Sequence, residues 1–198
     1  MKKRTAFIGA ISSSISLAQT LIIKTSFVLS SIGLILFVSE TVKANNAEYY
    51  IDLARKYFQK GDFYSAIYNL NEAINLNPDF ADAYVSRCGA KLNLQMNEEA
   101  IKDCQKAIAM NILNPSIRID KQTALNNLCG AKLNLGDNYG AISDCDKALL
   151  INNNYDIAYR NRGIAKERIG DLKGACSDWR KASSLGNRDT VNWVRNQC

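Results

Sequence analysis

Residues 66–73 read AIYNLNEA, and three later stretches repeat this outline: AIKDCQKA at 100–107, AISDCDKA at 141–148 and ACSDWRKA at 175–182. Each stretch has an alanine at both ends, and the first alanines of successive stretches are separated by 34, 41 and 34 residues. A period of 34 residues is typical of stacked helical hairpins. Small side chains at fixed positions let two antiparallel helices approach to about 8–10 Å between their axes. The four stretches therefore predict an all-α repeat protein.

Other positions keep the same stride, and the turns between helices support it. The aromatic register runs through Tyr50, Tyr84, Leu125, Tyr159 and Trp193. Gly61-Asp62, Gly136-Asp137 and Gly170-Asp171 place a glycine where the first helix of a hairpin ends and an aspartate that can cap the second. The second hairpin has Gln95-Met96 at this place. We therefore expect its turn to be the least well terminated of the four.

The single break in the stride is an insertion of seven residues, 41 minus 34, at 115–121. Because seven residues are close to two helical turns, the sequence favours a first helix of the third hairpin that is extended at its N-terminus and covers 116–135. The predicted domains are a leader at 1–44, repeats at 47–80, 81–114, 122–155 and 156–187, and a capping helix at 188–198.

These patterns resemble the tetratricopeptide repeat family. Its first-helix pattern of aromatic, leucine, small residue and tyrosine is similar to Tyr50, Leu53, Ala54 and Tyr57, and its two second-helix alanines match in all four units. The later units depart from it with Lys91, Lys132 and Lys166 at the position of Tyr57. The resemblance implies a right-handed α-solenoid of four helical hairpins plus the C-terminal capping helix. It also implies a non-catalytic module that binds proteins.

In such families the first helices line a concave groove that takes an extended peptide or a partner's helix. Ile51 and Arg55 stand where the chaperone-binding members carry a lysine and an asparagine, so their carboxylate clamp is not reproduced. Gly89 and Gly130 are expected to leave the floor open for close approach of a ligand. Amides can pair with a peptide backbone, and arginines can bind a carboxylate through two hydrogen bonds. The candidate groove residues are Arg55, Gln59, Val85, Asn93, Asn126, Asn134, Arg160, Glu167 and Arg168.

The six cysteines fall into three pairs that are symmetric about predicted turns. Cys88 and Cys104 are 16 residues apart, as are Cys129 and Cys145, while Cys176 and Cys198 flank the turn near residue 187. Facing Cα atoms of packed helices come within about 4–6 Å of each other, which is inside disulfide range. The spacing therefore favours the disulfides Cys88–Cys104, Cys129–Cys145 and Cys176–Cys198. The alternative is that cysteine only fills tight contacts as a small apolar residue.

The leader has the order of a secretory signal. Basic residues come first, then the apolar run at 27–38, then Val42-Lys43-Ala44, which suits cleavage after Ala44. The apolar run is shorter than the about 20 residues that span a bilayer. The alternatives are an uncleaved anchor at 17–38, which would hold Lys24 inside the membrane, or no export. Export would place the array in the periplasm, a lumen or the medium.

Composition argues against most other functions. The chain has 25 basic and 19 acidic residues, but the leader holds five of the basic ones and one acid, so the remainder carries 20 against 18. That balance, with no basic stripe, is not typical of a nucleic-acid-binding protein. Histidine is absent from the sequence, which removes the usual general base and the commonest metal ligand. We expect no catalytic residue, no cofactor and no metal, and a protein or peptide partner.

Two functions remain open at this stage. The favoured one is an exported adaptor that binds a peptide or partner protein in its groove. The alternative is a membrane-tethered structural scaffold or assembly factor, which would require that the leader is retained.

Overall fold

The computed structural model of the chain describes residues 46–116 and 119–198. All regular secondary structure in these ranges is helical. α1 covers 46–59, and the later helices are α2 (Phe63–Leu76), α3 (Ala81–Asn93), α4 (Asn97–Leu113), α5 (Lys121–Asn134), α6 (Asn138–Ile151), α7 (Asp156–Arg168), α8 (Leu172–Ser184) and α9 (Arg188–Gln197). We refer to α1, α3, α5 and α7 as the A helices, and to α2, α4, α6 and α8 as the B helices.

The helices stack in sequence order. Each of α3, α5 and α7 packs against the B helix that follows it and against the B helix that precedes it. The A helices also contact one another, α3 with α5 and α5 with α7, so the A side is the tighter, inner side of the stack. α9 packs against α8 and covers the end of the array. The all-α repeat fold is confirmed.

The predictions about the leader concern residues that precede the described part of the chain. The segment 1–44, the cleavage site at Ala44 and the possible span at 17–38 lie outside the described residues. Among the residues that are described, none of the helices has the length and apolar character needed to cross a membrane.

The alanines that recur in the B helices form the helix contacts. All eight are fully buried: Ala66, Ala73, Ala100, Ala107, Ala141, Ala148, Ala175 and Ala182. A larger side chain at these places would push the helices apart, because helix axes this close leave no room beyond a methyl group. The continuous core runs from Ala81 to Ala165 and includes Leu125, Leu128 and Leu149.

The prediction that the third A helix covers 116–135 is wrong. α5 begins at Lys121, because the side chain of Asp120 caps it by accepting a hydrogen bond from the backbone N–H of Thr123 at 3.1 Å. α4 instead runs to Leu113, three residues beyond the position equivalent to the end of α2. Asn114 then turns extended before Pro115, as a residue preceding proline prefers. The insertion therefore lengthens a B helix and a connection.

The turns follow the expected chemistry in three hairpins. Asp62, Asp137 and Asp171 each accept a hydrogen bond from a backbone N–H three residues later. The second hairpin lacks this cap at Met96, but its backbone takes the same path, with Gln95 at a φ of 59° where the others have glycine. A side chain in this left-handed conformation costs about 1–2 kcal/mol. The second turn is thus closed like the others, with a less suitable residue.

A repeated ion pair joins A and B helices and explains why lysine replaces Tyr57 in the later repeats. Lys91, Lys132 and Lys166 bind the buried carboxylates of Asp103, Asp144 and Asp178 at 2.7, 2.6 and 2.8 Å. The first repeat has neutral groups at both positions, Tyr57 and Asn69. A buried carboxylate requires a positive partner. The later repeats, which have aspartate at the position of Asn69, therefore also have lysine at the position of Tyr57.

The structure joins the cysteines in the three combinations that the spacing favoured. The Cα atoms are 5.5 Å apart in Cys88–Cys104, 5.4 Å in Cys129–Cys145 and 5.5 Å in Cys176–Cys198. The first two bonds link an A helix to its own B helix, and the third links α8 to the chain end after α9.

Candidate functional site

A cavity of about 600 Å³ opens on the A side of the first three repeats. Its apolar lining comes from α1, α2, α3 and the residue before α3: Ile51, Ala54, Phe58, Leu70, Phe80 and Val85. Phe58 is 37% exposed and stacks edge to face on Phe63, with ring centroids 5.1 Å apart. An apolar floor of this size fits one or two bulky side chains of a ligand.

The rim of the cavity carries amides and charges. The amides are Gln59, Asn93 and Asn127, and the hydroxyl groups are Ser86 and Thr123. The side chain of Asn93 donates a hydrogen bond to the backbone carbonyl of Gly89 at 2.8 Å, which leaves its oxygen available. Amides both donate and accept hydrogen bonds, so they suit the backbone of a bound peptide.

Three charged residues surround the opening. Arg55 is paired with Asp52 at 2.6 Å, and both side chains are largely exposed. Asp82 and Asp120 supply carboxylates, and the side chain of Asp120 also accepts a hydrogen bond from the Thr123 hydroxyl at 2.7 Å. Exposed ion pairs such as Arg55–Asp52 contribute little stability and open readily when a ligand competes. The rim can therefore offer either charge to a ligand.

Four of the predicted groove residues meet at this cavity: Arg55, Gln59, Val85 and Asn93. Val85 belongs to its floor and is only 5% exposed. The remaining five, Asn126, Asn134, Arg160, Glu167 and Arg168, do not line it.

Most of those five contact neighbouring parts of the fold. Asn126 is buried and accepts a hydrogen bond from Asn161 at 3.2 Å, so its predicted outward projection is wrong. Asn134 donates to Asn97 at 3.0 Å, and Arg168 donates to the backbone carbonyl of Leu133 at 2.6 Å.

Three of the five, Arg160, Glu167 and Arg168, lie on α7. Arg160 pairs with Asp189 of the capping helix at 2.7 Å, and Glu167 is exposed. The contacts of Asn126, Asn134, Arg160 and Arg168 link repeats or hold the cap, since each joins residues at least 29 positions apart.

The glycines of the A helices serve packing more than access. A Cβ at Gly130 would lie 3.2 Å from Leu92 Cδ2, and one at Gly89 would lie 3.2 Å from Asn127 Nδ2 and 3.8 Å from Phe58 Cε2. The expectation that Gly130 leaves the floor open is wrong, because Leu92 of the neighbouring A helix occupies that space. Gly89 does line the cavity, and Asn127 and Phe58, which lie close to it, line the cavity as well.

Sequence reasoning missed several residues of the site. Phe58 follows Ala54 by four positions and therefore shares its helix face, so helical periodicity could have found it. Phe80 and Asp120 precede their A helices, and their approach to the cavity depends on how the hairpins stack. No local pattern in the sequence indicates it.

Comparison with known proteins agrees with this architecture. A family model described as a TPR repeat matches residues 54–87, from the second half of α1 to α3. Over this segment the chain is similar to the tetratricopeptide repeat family. The crystal structure of MamA is 26% identical to it, with a TM-score of 0.60, and the alignment covers 73% of this chain and 81% of MamA.

Two further tetratricopeptide structures are similar. TTC0263, a thermophilic TPR protein of Thermus thermophilus, is 16% identical with a TM-score of 0.63, over 75% of this chain and 80% of its own. The second TPR domain of human RPAP3, solved in complex with the HSP70 peptide SGPTIEEVD, is 24% identical with a TM-score of 0.53, over 64% and 98%. At these identities both show the fold alone. No curated protein matches the chain.

Proposed function

We propose that this helical repeat protein is a non-catalytic interaction module that holds an extended peptide segment of a partner protein outside the cytoplasm. The observation that carries the proposal is the A-side cavity, whose apolar floor lies beside three amide side chains. That combination suits a peptide that inserts one bulky side chain while its backbone pairs with Gln59, Asn93 and Asn127. The RPAP3 domain, which shares the fold, was solved with a bound peptide.

The absence of histidine from the sequence supports a binding role. Acid–base and nucleophilic catalysis most often use an imidazole. The buried carboxylates of Asp103, Asp144 and Asp178 are each bound to a lysine within one hairpin, as structural ion pairs are.

The three disulfides support a location outside the cytoplasm, because such bonds form and persist in oxidising compartments. The order of basic, apolar and small residues at 1–44 fits an export signal, with Asn45 as the first residue of the mature chain. We expect protein released from the producing cell to start at Asn45 and to contain six oxidised cysteines. Mass spectrometry after thiol alkylation without reductant tests both points together. Free thiols in the released protein contradict the oxidising compartment.

Peptide binding is tested with a displayed library of random twelve-residue peptides, selected on the immobilised full chain. Enriched peptides are then measured by fluorescence anisotropy against Asn93→Trp, which adds a bulky side chain to the cavity rim. We expect binding to weaken by about tenfold or more, as is typical when a central contact is blocked.

The matched control is Asn134→Trp, the same substitution at the equivalent position of the next repeat, outside the cavity. We expect the control to bind like the unchanged chain. Equal binding by both variants would show that the peptides bind elsewhere. A selection that enriches no peptide would contradict the proposal as a whole.

A further inference from the structure

A second cleft lies on the opposite, B side of the array, between α4 and α6. Its volume is about 670 Å³. We call it the α4–α6 cleft: its floor is Leu125 and Leu128 of α5, and its apolar walls include Ile108 and Ile112 of α4 and Leu150 of α6. The floor leucines are each 5% exposed, so the cleft opens directly onto the core.

The equivalent space in the second repeat is filled by an arginine. Arg87 donates from Nε and Nη2 to both oxygens of Asp103, at 2.8 and 2.6 Å, and from Nη1 to Asn71 of the preceding B helix at 2.6 Å. Its guanidinium lies 5.3 Å from the ring centre of Tyr84. The arginine therefore ties α2, α3 and α4 together across the junction of the first two repeats.

The fourth repeat has the same arrangement. Arg162 donates to Asp178 at 2.8 and 2.5 Å and to Asp146 of the preceding B helix at 2.6 Å, and it lies 5.3 Å from the ring centre of Tyr159. Its hydrogen bond to Asp178 raises the pKa of Arg162 above the ordinary value. The arginine and tyrosine thus form a clamp that occurs twice.

The third repeat lacks this clamp. Leu128 stands at the position of Arg87, Leu125 at that of Tyr84, and Gln105 at that of Asn71. Asp144 is bound by Lys132 and Lys147 instead, at 2.6 and 2.9 Å. Two leucines cannot bridge to the preceding B helix by hydrogen bonds, so the junction of the second and third repeats stays open and apolar.

Exposed apolar side chains surround this opening. Ile112 is 66% exposed, Leu150 86% and Ile151 51%. Ile112 belongs to the turn that the seven-residue insertion adds to α4. Contiguous exposed apolar surface of this kind marks an interaction site in a soluble fold.

The chemistry of the cleft points to its occupant. The walls present side chains of two helices, which offer no free row of backbone groups to pair with an extended strand. An occupant must satisfy its own backbone hydrogen bonds, as a helix does. Three lysines line the cleft, Lys121, Lys132 and Lys147, against the single carboxylate of Asp144. This charge balance favours an acidic partner.

We propose that the α4–α6 cleft binds an amphipathic helix of a partner protein, with large apolar residues along one face and acidic residues at its edges. This surface is separate from the A-side cavity, so the array could hold two segments at once. The proposal does not depend on the peptide-binding function of that cavity.

The test uses a synthetic amphipathic peptide of 14 residues, the length of α6, with leucines on one face and glutamates beside them. Binding to the full chain is measured by fluorescence anisotropy, and helix formation by circular dichroism. The decisive variant is Leu125→Tyr/Leu128→Arg, which copies the clamp of the second and fourth repeats into the third. Because that clamp already fits twice in this fold, we expect the variant to fold and to bind the peptide at least about tenfold more weakly.

A second variant guards against a folding effect. Leu150→Ser changes a side chain that is 86% exposed and should also weaken binding, whereas Tyr139→Ser, at 74% exposure on α6 outside the cleft, should not. Equal binding of a peptide with lysines in place of the glutamates would overturn the proposal, as would no binding of the acidic peptide. It would also be overturned if Leu150→Ser abolished binding to phosphatidylglycerol vesicles, or self-association of the chain, while leaving peptide binding intact.

Discussion

One pair of facing positions on the A and B helices distinguishes the two middle hairpins from the two outer ones. The middle hairpins place a disulfide there, Cys88–Cys104 and Cys129–Cys145. The equivalent pairs are Ala54 with Leu70 in the first hairpin and Gly163 with Trp179 in the fourth. All these residues are buried, and the four cysteines have no exposed surface.

This difference shows that the fold constrains the combined volume of the two facing side chains more strongly than it constrains the identity of either residue. As the B-helix partner grows from Leu70 to Trp179, the A-helix partner shrinks from Ala54 to Gly163. A Cβ at Gly163 would lie 2.3 Å from Trp179 Nε1, so the tryptophan occupies that space. Interiors packed at this density accept exchanges that conserve volume. Cysteine is the solution that also adds a covalent bond.

Opening the middle disulfides should give the largest effect. Each closes a loop of 16 residues, and the loss of such a cross-link costs about 3 kcal/mol in free energy of unfolding. We expect reduction to lower the urea midpoint strongly, measured by circular dichroism with and without reductant. The control is Cys88→Ala/Cys104→Leu, which installs the pair of the first hairpin. This variant should have a lower urea midpoint than the oxidised unchanged chain. Its midpoint should also fall less than that of the unchanged chain when reductant is added. A midpoint that reductant leaves unchanged would refute the cross-link contribution.

The fourth hairpin should respond next most strongly. Gly163→Ala forces its methyl group against the indole of Trp179, and overpacking of this kind costs about 1–3 kcal/mol. Trp179 also packs on Trp193 of the capping helix, with ring centroids 5.4 Å apart, so the capping helix should loosen too. Thermal unfolding and tryptophan fluorescence measure the two effects.

The double variant Gly163→Ala/Trp179→Leu sharpens the comparison, because it reproduces the first hairpin's pair in the fourth. It should recover part of the lost stability, since the steric conflict is removed, but not the contact with Trp193. If the double variant is no more stable than Gly163→Ala alone, the shared-volume interpretation of the four pairs is wrong.

The helices of each hairpin and the cysteine pairs could be predicted from the sequence, because both depend on the spacing of residues within one hairpin. Alanines at a fixed stride indicated the hairpins, and symmetry about a turn placed Cys88 opposite Cys104. Spacing within one hairpin cannot show which side chains of different repeats meet. Arg160 binds the capping helix and Asn126 binds the next A helix, although both were predicted to face a ligand. The cap formed by Asp120, which starts α5 at Lys121, likewise depended on residues inside the insertion.

The smallest effects are expected at the turn of the second hairpin, where the middle repeats differ from each other. The third hairpin has Gly136 and Asp137, whereas the second has Gln95 and Met96 at these positions. Gln95→Gly should stabilise the chain by about 1 kcal/mol, because glycine adopts the left-handed conformation without steric cost. Met96→Asp should add about 1 kcal/mol by capping α4 as Asp137 caps α6.

The two substitutions contact different groups, so their effects should add in urea unfolding experiments. The reverse change in the third hairpin, Gly136→Gln/Asp137→Met, is the matched control and should destabilise the chain by a similar total. If the second hairpin gains nothing while the third loses stability, the turn at Gln95 relaxes in solution to a backbone path that suits its own residues. The two middle hairpins would then be equivalent in their helices but not in their turns. The cap at Asp137 would be a property of the third hairpin alone.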